Sequence, residues 1–133
     1  MDVKKAFLNG FIKEEMYVKQ PLGFEDPLNE DYVCMLTKAI YGLKQGPRVW
    51  YGTLNNFLSK KKFKKGNVHI TLYIKRDKKD ILIVQIYVDD IIFGSTYDRL
   101  CKEFSTIMQV EFEMSIVREL NYFLELQTKQ LKD

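Results

Sequence analysis

The sequence predicts an α+β fold, an antiparallel sheet with helices packed on one face. Three observations predict it. Residues 81–88 form an almost unbroken β-branched run, two other stretches place apolar residues at helical spacing, and the overall order is strand-rich with helices between. At 133 residues, 46% apolar and 29% charged, the chain has the composition of a globular protein and the length of a single domain, residues 1–133.

Each element follows in turn. Met1 to Gly10 is apolar after its opening acid and ends at Asn9-Gly10, a strong turn signal. Met16 to Lys19 reads as a short strand, Pro21 to Pro27 as a loop, and Tyr32 to Ile40 as a loosely alternating strand before the break at Tyr41-Gly42. Pro47 suits the start of a helix whose stripe is Trp50, Tyr51, Leu54, Phe57 and Leu58, with a lysine-rich end that complements the helix dipole. Ile70–Lys75 and Ile81–Val88 form two strands joined across the charged stretch 76–80, and Ile91–Phe93 adds a third. Ser95-x-x-Asp98 has the form of a capping box, so a second helix is expected from Ser95 or Thr96, with the stripe Leu100, Cys101, Phe104, Ile107 and Met108. The tail, Val117 to Leu126, reads as one or two further strands.

Several classes are argued against. Cys34 and Cys101 stand far apart with one histidine, His69, so neither a zinc site nor a disulfide framework is expected. Both thiols read as small core residues in a reducing compartment, and His69 as a strand-edge residue. The opening lacks the apolar region of a secretory signal, and the longest apolar run is too short for a bilayer, so no membrane partner is expected. The net charge of +3 is mild, but nine basic residues between Lys60 and Lys79 face one acid, Asp77. Such a run can attract phosphate, or it can be a solvated helix end.

The chemistry centres on Tyr87-Val88-Asp89-Asp90. Alternation puts Leu82, Val84, Ile86 and Val88 on one apolar face and Ile83, Gln85, Tyr87 and Asp89 on the other. Adjacent carboxylates between buried strands repel each other, and a divalent cation would relieve the conflict. The alternative is an ordinary Asp-containing turn, although the loop has no glycine or asparagine. Asp2 is a second candidate, meaningful only if its segment neighbours the first in a sheet. A third is Gln45, between glycines at a helix start, where free N–H groups can face a phosphate or simply belong to the loop before the helix.

Taken together, these segments resemble the copia-type reverse transcriptases of long-terminal-repeat retrotransposons. The resemblance rests on Asp2-Val3-Lys4-Lys5-Ala6-Phe7-Leu8-Asn9-Gly10, Gln20-Pro21-Leu22-Gly23-Phe24, Ala39-Ile40-Tyr41-Gly42-Leu43-Lys44-Gln45, Pro47-Arg48-Val49-Trp50-Tyr51, Tyr87-Val88-Asp89-Asp90-Ile91 and Glu119-Leu120-Asn121-Tyr122-Phe123-Leu124, in the family's order. It implies the palm of a right-hand polymerase, with incomplete fingers and no thumb. It also implies RNA-directed DNA synthesis on a template-primer of RNA or DNA from deoxynucleoside triphosphates, and a cytoplasmic virus-like particle as the setting. By the same resemblance Asp2, Asp89 and Asp90 are the catalytic carboxylates, holding two Mg²⁺ ions (Mn²⁺ is an alternative) roughly 3.5–4 Å apart. Val3 offers a backbone carbonyl as a further ligand, Phe7 matches the ring that excludes a ribose 2′-hydroxyl, Gln45 matches a contact to the incoming nucleotide, and Tyr87 would lie against the primer end.

There are departures. Phe123-Leu124-Glu125 has glutamate where the family's primer-holding element has glycine, and Lys5 stands where a small residue is common. With fingers and thumb incomplete, little polymerase activity is expected of this chain by itself. Mg²⁺-dependent processive primer extension that disappears in Asp89→Asn would contradict this. The competing expectation is a non-catalytic, basic nucleic-acid-binding remnant of a decayed element, acting through Lys60–Lys79. A nucleotide cyclase on a similar palm is a third reading, opposed by Phe7 and Gln45.

Overall fold

The computed structural model describes residues 1–115, 122–123, 126–127 and 129. They are α+β. A 3₁₀ turn at Ala6–Asn9 is followed by β1 (Tyr17–Lys19), β2 (Val33–Met35), α1 (Gly46–Lys60), β3 (Lys64–Lys65), β4 (Leu72–Asp77), β5 (Asp80–Tyr87), β6 (Asp90–Ser95), α2 (Asp98–Glu111), β7 (Tyr122–Phe123) and β8 (Leu126–Gln127). The chain divides into two compact units, Met1–Lys4 with Phe57–Asp133, and Lys5–Asn56.

The first unit is built on an antiparallel sheet in the order β3-β4-β5-β6. Its register aligns Tyr73, Val84 and Phe93 in one cross-strand row, and Lys75, Leu82 and Ser95 in the next. Side chains opposite one another project to the same side, so these rows form one face. Tyr73, Leu82, Val84, Ile86 and Ile91 are buried there. Helix α2 supplies Leu100, Phe104 and Met108 to the same core, with the Phe104 ring 4.8 Å from Phe93 and 5.5 Å from Phe63. The other face shows Ile74, Ile83 and Gly94 in one row and Leu72, Gln85 and Ile92 in another; Ile83 is 45% exposed.

Helix α1 ends where its lysines begin. The Phe63 amide donates to the Leu58 carbonyl and the Lys62 amide to the Ser59 carbonyl, both at 3.0 Å, with Lys62 at φ 66°. This is a Schellman closure, with buried Phe63 and Leu58 as its apolar pair and a lysine where glycine is usual.

The second unit holds the β1–β2 pair, with Val18 opposite Cys34. Gln20 organises the loop that follows β1: its amide group donates to the Asn29 and Tyr32 carbonyls, and its oxygen accepts from the Asp26 amide. Gly10 is required by close packing, since a Cβ there would sit 2.6 Å from Val49 Cγ1. Trp50 and Leu54 are buried along α1, as the helical spacing predicts.

Five expectations need correction. The second helix starts at Asp98 with Tyr97 as its cap and no side-chain capping bond, because Ser95 Oγ donates to the Tyr97 carbonyl and lies 3.2 Å from Cys101 Sγ. Val88 leaves the apolar face. It is 44% exposed at φ 53°, since strand alternation stops where the chain turns. Asp89 likewise falls in the turn, leaving Asp90 opposite Tyr87. Cys34 is exposed on β2 and Cys101 only half-buried, so neither is a core thiol. His69 lies in the loop between β3 and β4, its carbonyl accepting from the Leu72 amide. In the tail, β7 pairs with β8. Leu124 and Glu125 of the primer-holding element, and Glu119, Leu120 and Asn121 before it, lie outside the described residues.

Candidate active site

Strands β5 and β6 pair from Leu82↔Ser95 to Tyr87↔Asp90, leaving Val88 and Asp89 as a two-residue loop. Such loops need positive φ at a central position, usually supplied by glycine or asparagine. Here Val88 supplies it at φ 53°. A left-handed conformation costs about 1–2 kcal/mol for a residue with a Cβ, and a β-branched one is an outlier. Strain of this kind collects where a side chain must be held in a set place.

Met1–Val3 runs alongside this hairpin. Asp2 forms an antiparallel bridge with Asp90, the Val3 amide donates to the Asp89 carbonyl at 3.0 Å, and the Ile91 amide donates to the Met1 carbonyl at 2.7 Å. On its other side the segment is held by residues 113–115. The Lys4 amide donates to the Glu113 carbonyl at 2.8 Å and the Ser115 amide to the Asp2 carbonyl at 3.0 Å. The Val3 side chain is buried, locking the segment against the core. The structure thus brings Asp2 beside Asp90, with Tyr87 in the same cross-strand row, and rows of this kind project to one side.

No ion pair among the described residues involves Asp2, Asp89 or Asp90. Although Asp90 is exposed as a residue, its carboxyl is pushed above the ordinary carboxylate value. Local desolvation is the largest cause, followed by the negative charges of Asp89 and then Asp2, with the Met1 amino group opposing. Among the described residues, no group of three or more Asp, Glu, His or Cys side chains is gathered into a ready metal cage. The donor chemistry nonetheless suits a hard divalent cation, which takes carboxylate oxygens and would relieve the crowding that raises Asp90.

Phe7 and Gln45 belong to the second unit. The Phe7 ring lies 4.5 Å from that of Tyr41, and a Cβ on Gly46 would be 3.4 Å from Phe7 Cδ2. Phe7 is therefore held between Tyr41 and the start of α1. The Gln45 carbonyl accepts from the Val49 amide at 2.9 Å, and Gln45 lines a cleft of ≈ 430 Å³ with Lys13, Arg48 and Thr53. In the sequence Tyr41 belongs to a break and to the run that ends at Gln45, and no role is assigned to it there. Its aromatic character beside Gly42, in the same run as Gln45, was the available signal.

The family described as reverse transcriptase (RNA-dependent DNA polymerase) matches residues 1–133. Among curated proteins, the chain is similar to the retrovirus-related Pol polyprotein from transposon RE2 of Arabidopsis thaliana, 37% identical over 98% of this chain and 9% of that protein. It is similar to the corresponding polyprotein from transposon TNT 1-94 of Nicotiana tabacum, 36% identical over 86% of this chain and 9% of the other. A transposon Ty5-1 protein of Saccharomyces cerevisiae is 35% identical over 98% of this chain and 42% of its own length. The chain spans only 9% of the Pol polyproteins it resembles. No solved structure matches it, and no helix among the described residues is long and apolar enough to cross a membrane. The chain belongs to the reverse transcriptase (RNA-dependent DNA polymerase) family of copia-type retrotransposons.

Proposed function

We propose that residues 1–133 form one partial polymerase palm domain in which Asp2, Asp89 and Asp90 hold divalent cations for nucleotidyl transfer. The observation that carries this reading is the bridge between Asp2 and Asp90, two residues 88 positions apart that share an edge of the sheet. The family match across both compact units supports treating them as one domain. Two Mg²⁺ ions, or Mn²⁺ in their place, would supply positive charge to the primer 3′-hydroxyl and to the departing pyrophosphate.

The chain's own residues do the rest. Asp90, shifted toward protonation by desolvation and by the charges of Asp89 and Asp2, would be relieved by a cation. The Val3 amide fixes the loop carbonyl at Asp89, and the Val3 carbonyl is offered as an additional ligand. Tyr87, in the row of Asp90, would rest against the primer end. Phe7, braced by Tyr41, would close the space a ribose 2′-hydroxyl needs, and Gln45 would contact the incoming deoxynucleotide. The partners are then a template-primer and deoxynucleoside triphosphates, and the setting a cytoplasmic virus-like particle.

Titration of the purified chain with Mn²⁺, followed by calorimetry or water-proton relaxation, tests the reading. Saturable binding that weakens at least about tenfold (1.4 kcal/mol) in both Asp2→Asn and Asp90→Asn is expected. Binding in Asp2→Asn equal to that of the unaltered chain would remove Asp2 from the site and the mechanism with it.

A further inference from the structure

Of the nine basic residues between Lys60 and Lys79, Lys60 is the last residue of α1, and the other eight separate into distinct groups once the fold is known. Lys61 lies 5.6 Å from the centre of the Phe57 ring and Lys75 5.4 Å from that of Phe63, both on the packed side. Lys78 and Lys79 form the β4–β5 turn between Asp77 and Asp80. The remaining cluster is different. Lys62, Lys64, Lys65 and Arg76 surround one cleft of ≈ 320 Å³ whose apolar floor is Ile74. Among the described residues, no carboxylate lines this cleft and no ion pair involves Lys62, Lys64 or Arg76.

The register fixes which way the cleft looks. Lys64 is opposite Ile74, and Ile74 opposite Ile83, so these residues share the uncovered face of the sheet with Arg76, Gln85 and Tyr87. Asp90, opposite Tyr87, is on that face too. The cleft lies four residues along β5 from the carboxylates, about 13 Å, and three strand spacings across, about 14 Å. The separation is about 20 Å, or about six base steps at 3.4 Å each along one strand.

We propose that the Lys62–Lys64–Arg76 cleft is a backbone-phosphate site that grips a nucleic acid strand about six steps from the carboxylate cluster. Charge selects the ligand class, because Lys62, Lys64 and Arg76 around one hollow repel one another until an anion enters. The shared open face selects a long polyanion over a small one, because the same strand can lie across Ile74 and Ile83 toward Tyr87. The inference rests on the nucleic-acid partner of the proposed function but not on its metal chemistry. Lys62 carries a further sign of use. It occupies the left-handed position that closes α1, where glycine is the conformationally easy choice, so its side chain is present at a cost to the fold.

Fluorescence anisotropy of a labelled 20-nucleotide DNA strand on the full chain, across a salt series, is the test. Lys62→Gly should weaken binding about threefold while the melting temperature stays level or rises, which separates binding from folding. The triple variant K62Q/K64Q/R76Q should lose at least tenfold in affinity and lower the salt slope by about 2, at roughly 0.7 per contact on a single strand. The pair K78Q/K79Q should bind as the unaltered chain does. Equal losses in the turn pair and the cleft triple would mean a diffuse charge effect and overturn the proposal, as would undiminished binding by the triple. Tighter binding to phosphatidylserine vesicles than to the strand would assign the cleft to a lipid surface instead. Failure of Mn²⁺ binding with the triple's loss intact would sink the metal reading and leave this one standing.

Discussion

Strand β5 has a two-residue loop at each end, and the two loops meet their charges in opposite ways. At the Lys78-Lys79 end, every acid has a partner. Asp77 is 3.4 Å from Arg99, and Asp80 Oδ1 accepts from Thr96 Oγ1, which itself accepts from the Ile81 amide. At the Val88-Asp89 end, Asp2 bridges Asp90 next to Asp89, no ion pair among the described residues involves any of them, and the residue at φ 53° is β-branched. Both loops need a left-handed residue, Lys78 at φ 56° and Val88 at φ 53°, and neither uses glycine. The backbone solution is the same. What differs is compensation among the described residues, and the cations proposed above would supply it at the second loop.

This contrast can be broken in order of effect. Largest is Asp89→Asn, expected to weaken Mn²⁺ binding at least about tenfold, while Asp80→Asn at the opposite loop leaves it unchanged; equal effects in titration would erase the distinction. Next is pH. The Asp90 carboxyl is raised in the folded state above its ordinary value of 3.8, so the folded chain binds more protons than the unfolded one between those two values, and stability falls as pH rises through that window. Metal-free Asp90→Asn should flatten the slope and raise stability at pH 7, read by urea melts across pH; a slope unaltered by the substitution would count against this. Thr96→Val should cost about 1 kcal/mol in urea unfolding by leaving the Ile81 amide without its acceptor. Smaller again is Val88→Gly, which relieves the left-handed residue and should stabilise by about 0.5–1 kcal/mol, with Lys78→Gly gaining less because lysine is unbranched. A loss of stability in Val88→Gly would mean the valine side chain contributes packing that outweighs its strain.

The sheet's strands and its helical stripes were legible because they depend on short periodicities. Ile81–Val88 reads as a strand at once, and the charged stretch from Arg76 to Asp80 marks its turn within a residue or two. The candidate carboxylates were legible as residue types, and Asp2 is informative in the sequence only through its neighbour. Its neighbour could not be read locally, because a pairing across 88 positions leaves no periodic trace. Parity failed at Val88 for a related reason: alternation holds only while φ stays in the β region. The cap at Ser95 failed because the helix starts later, at Asp98 with Tyr97 as its cap, and Ser95 Oγ instead donates to the Tyr97 carbonyl beside Cys101. Cys34 fell outside the core because β2 is exposed along its whole length, in a two-stranded sheet with β1.

The outer margin of the four-stranded sheet is β3, two residues long and both of them lysine, beside a stretch of β4 that presents Lys75 and Arg76. A row of open backbone amides and carbonyls ordinarily invites another chain to add a strand, the first step toward fibrils. A second copy approaching this margin meets two lysines of its own sign on β3 and two more basic residues on β4, which oppose recruitment. Acetylation of those lysines would lift that guard without altering the fold beneath.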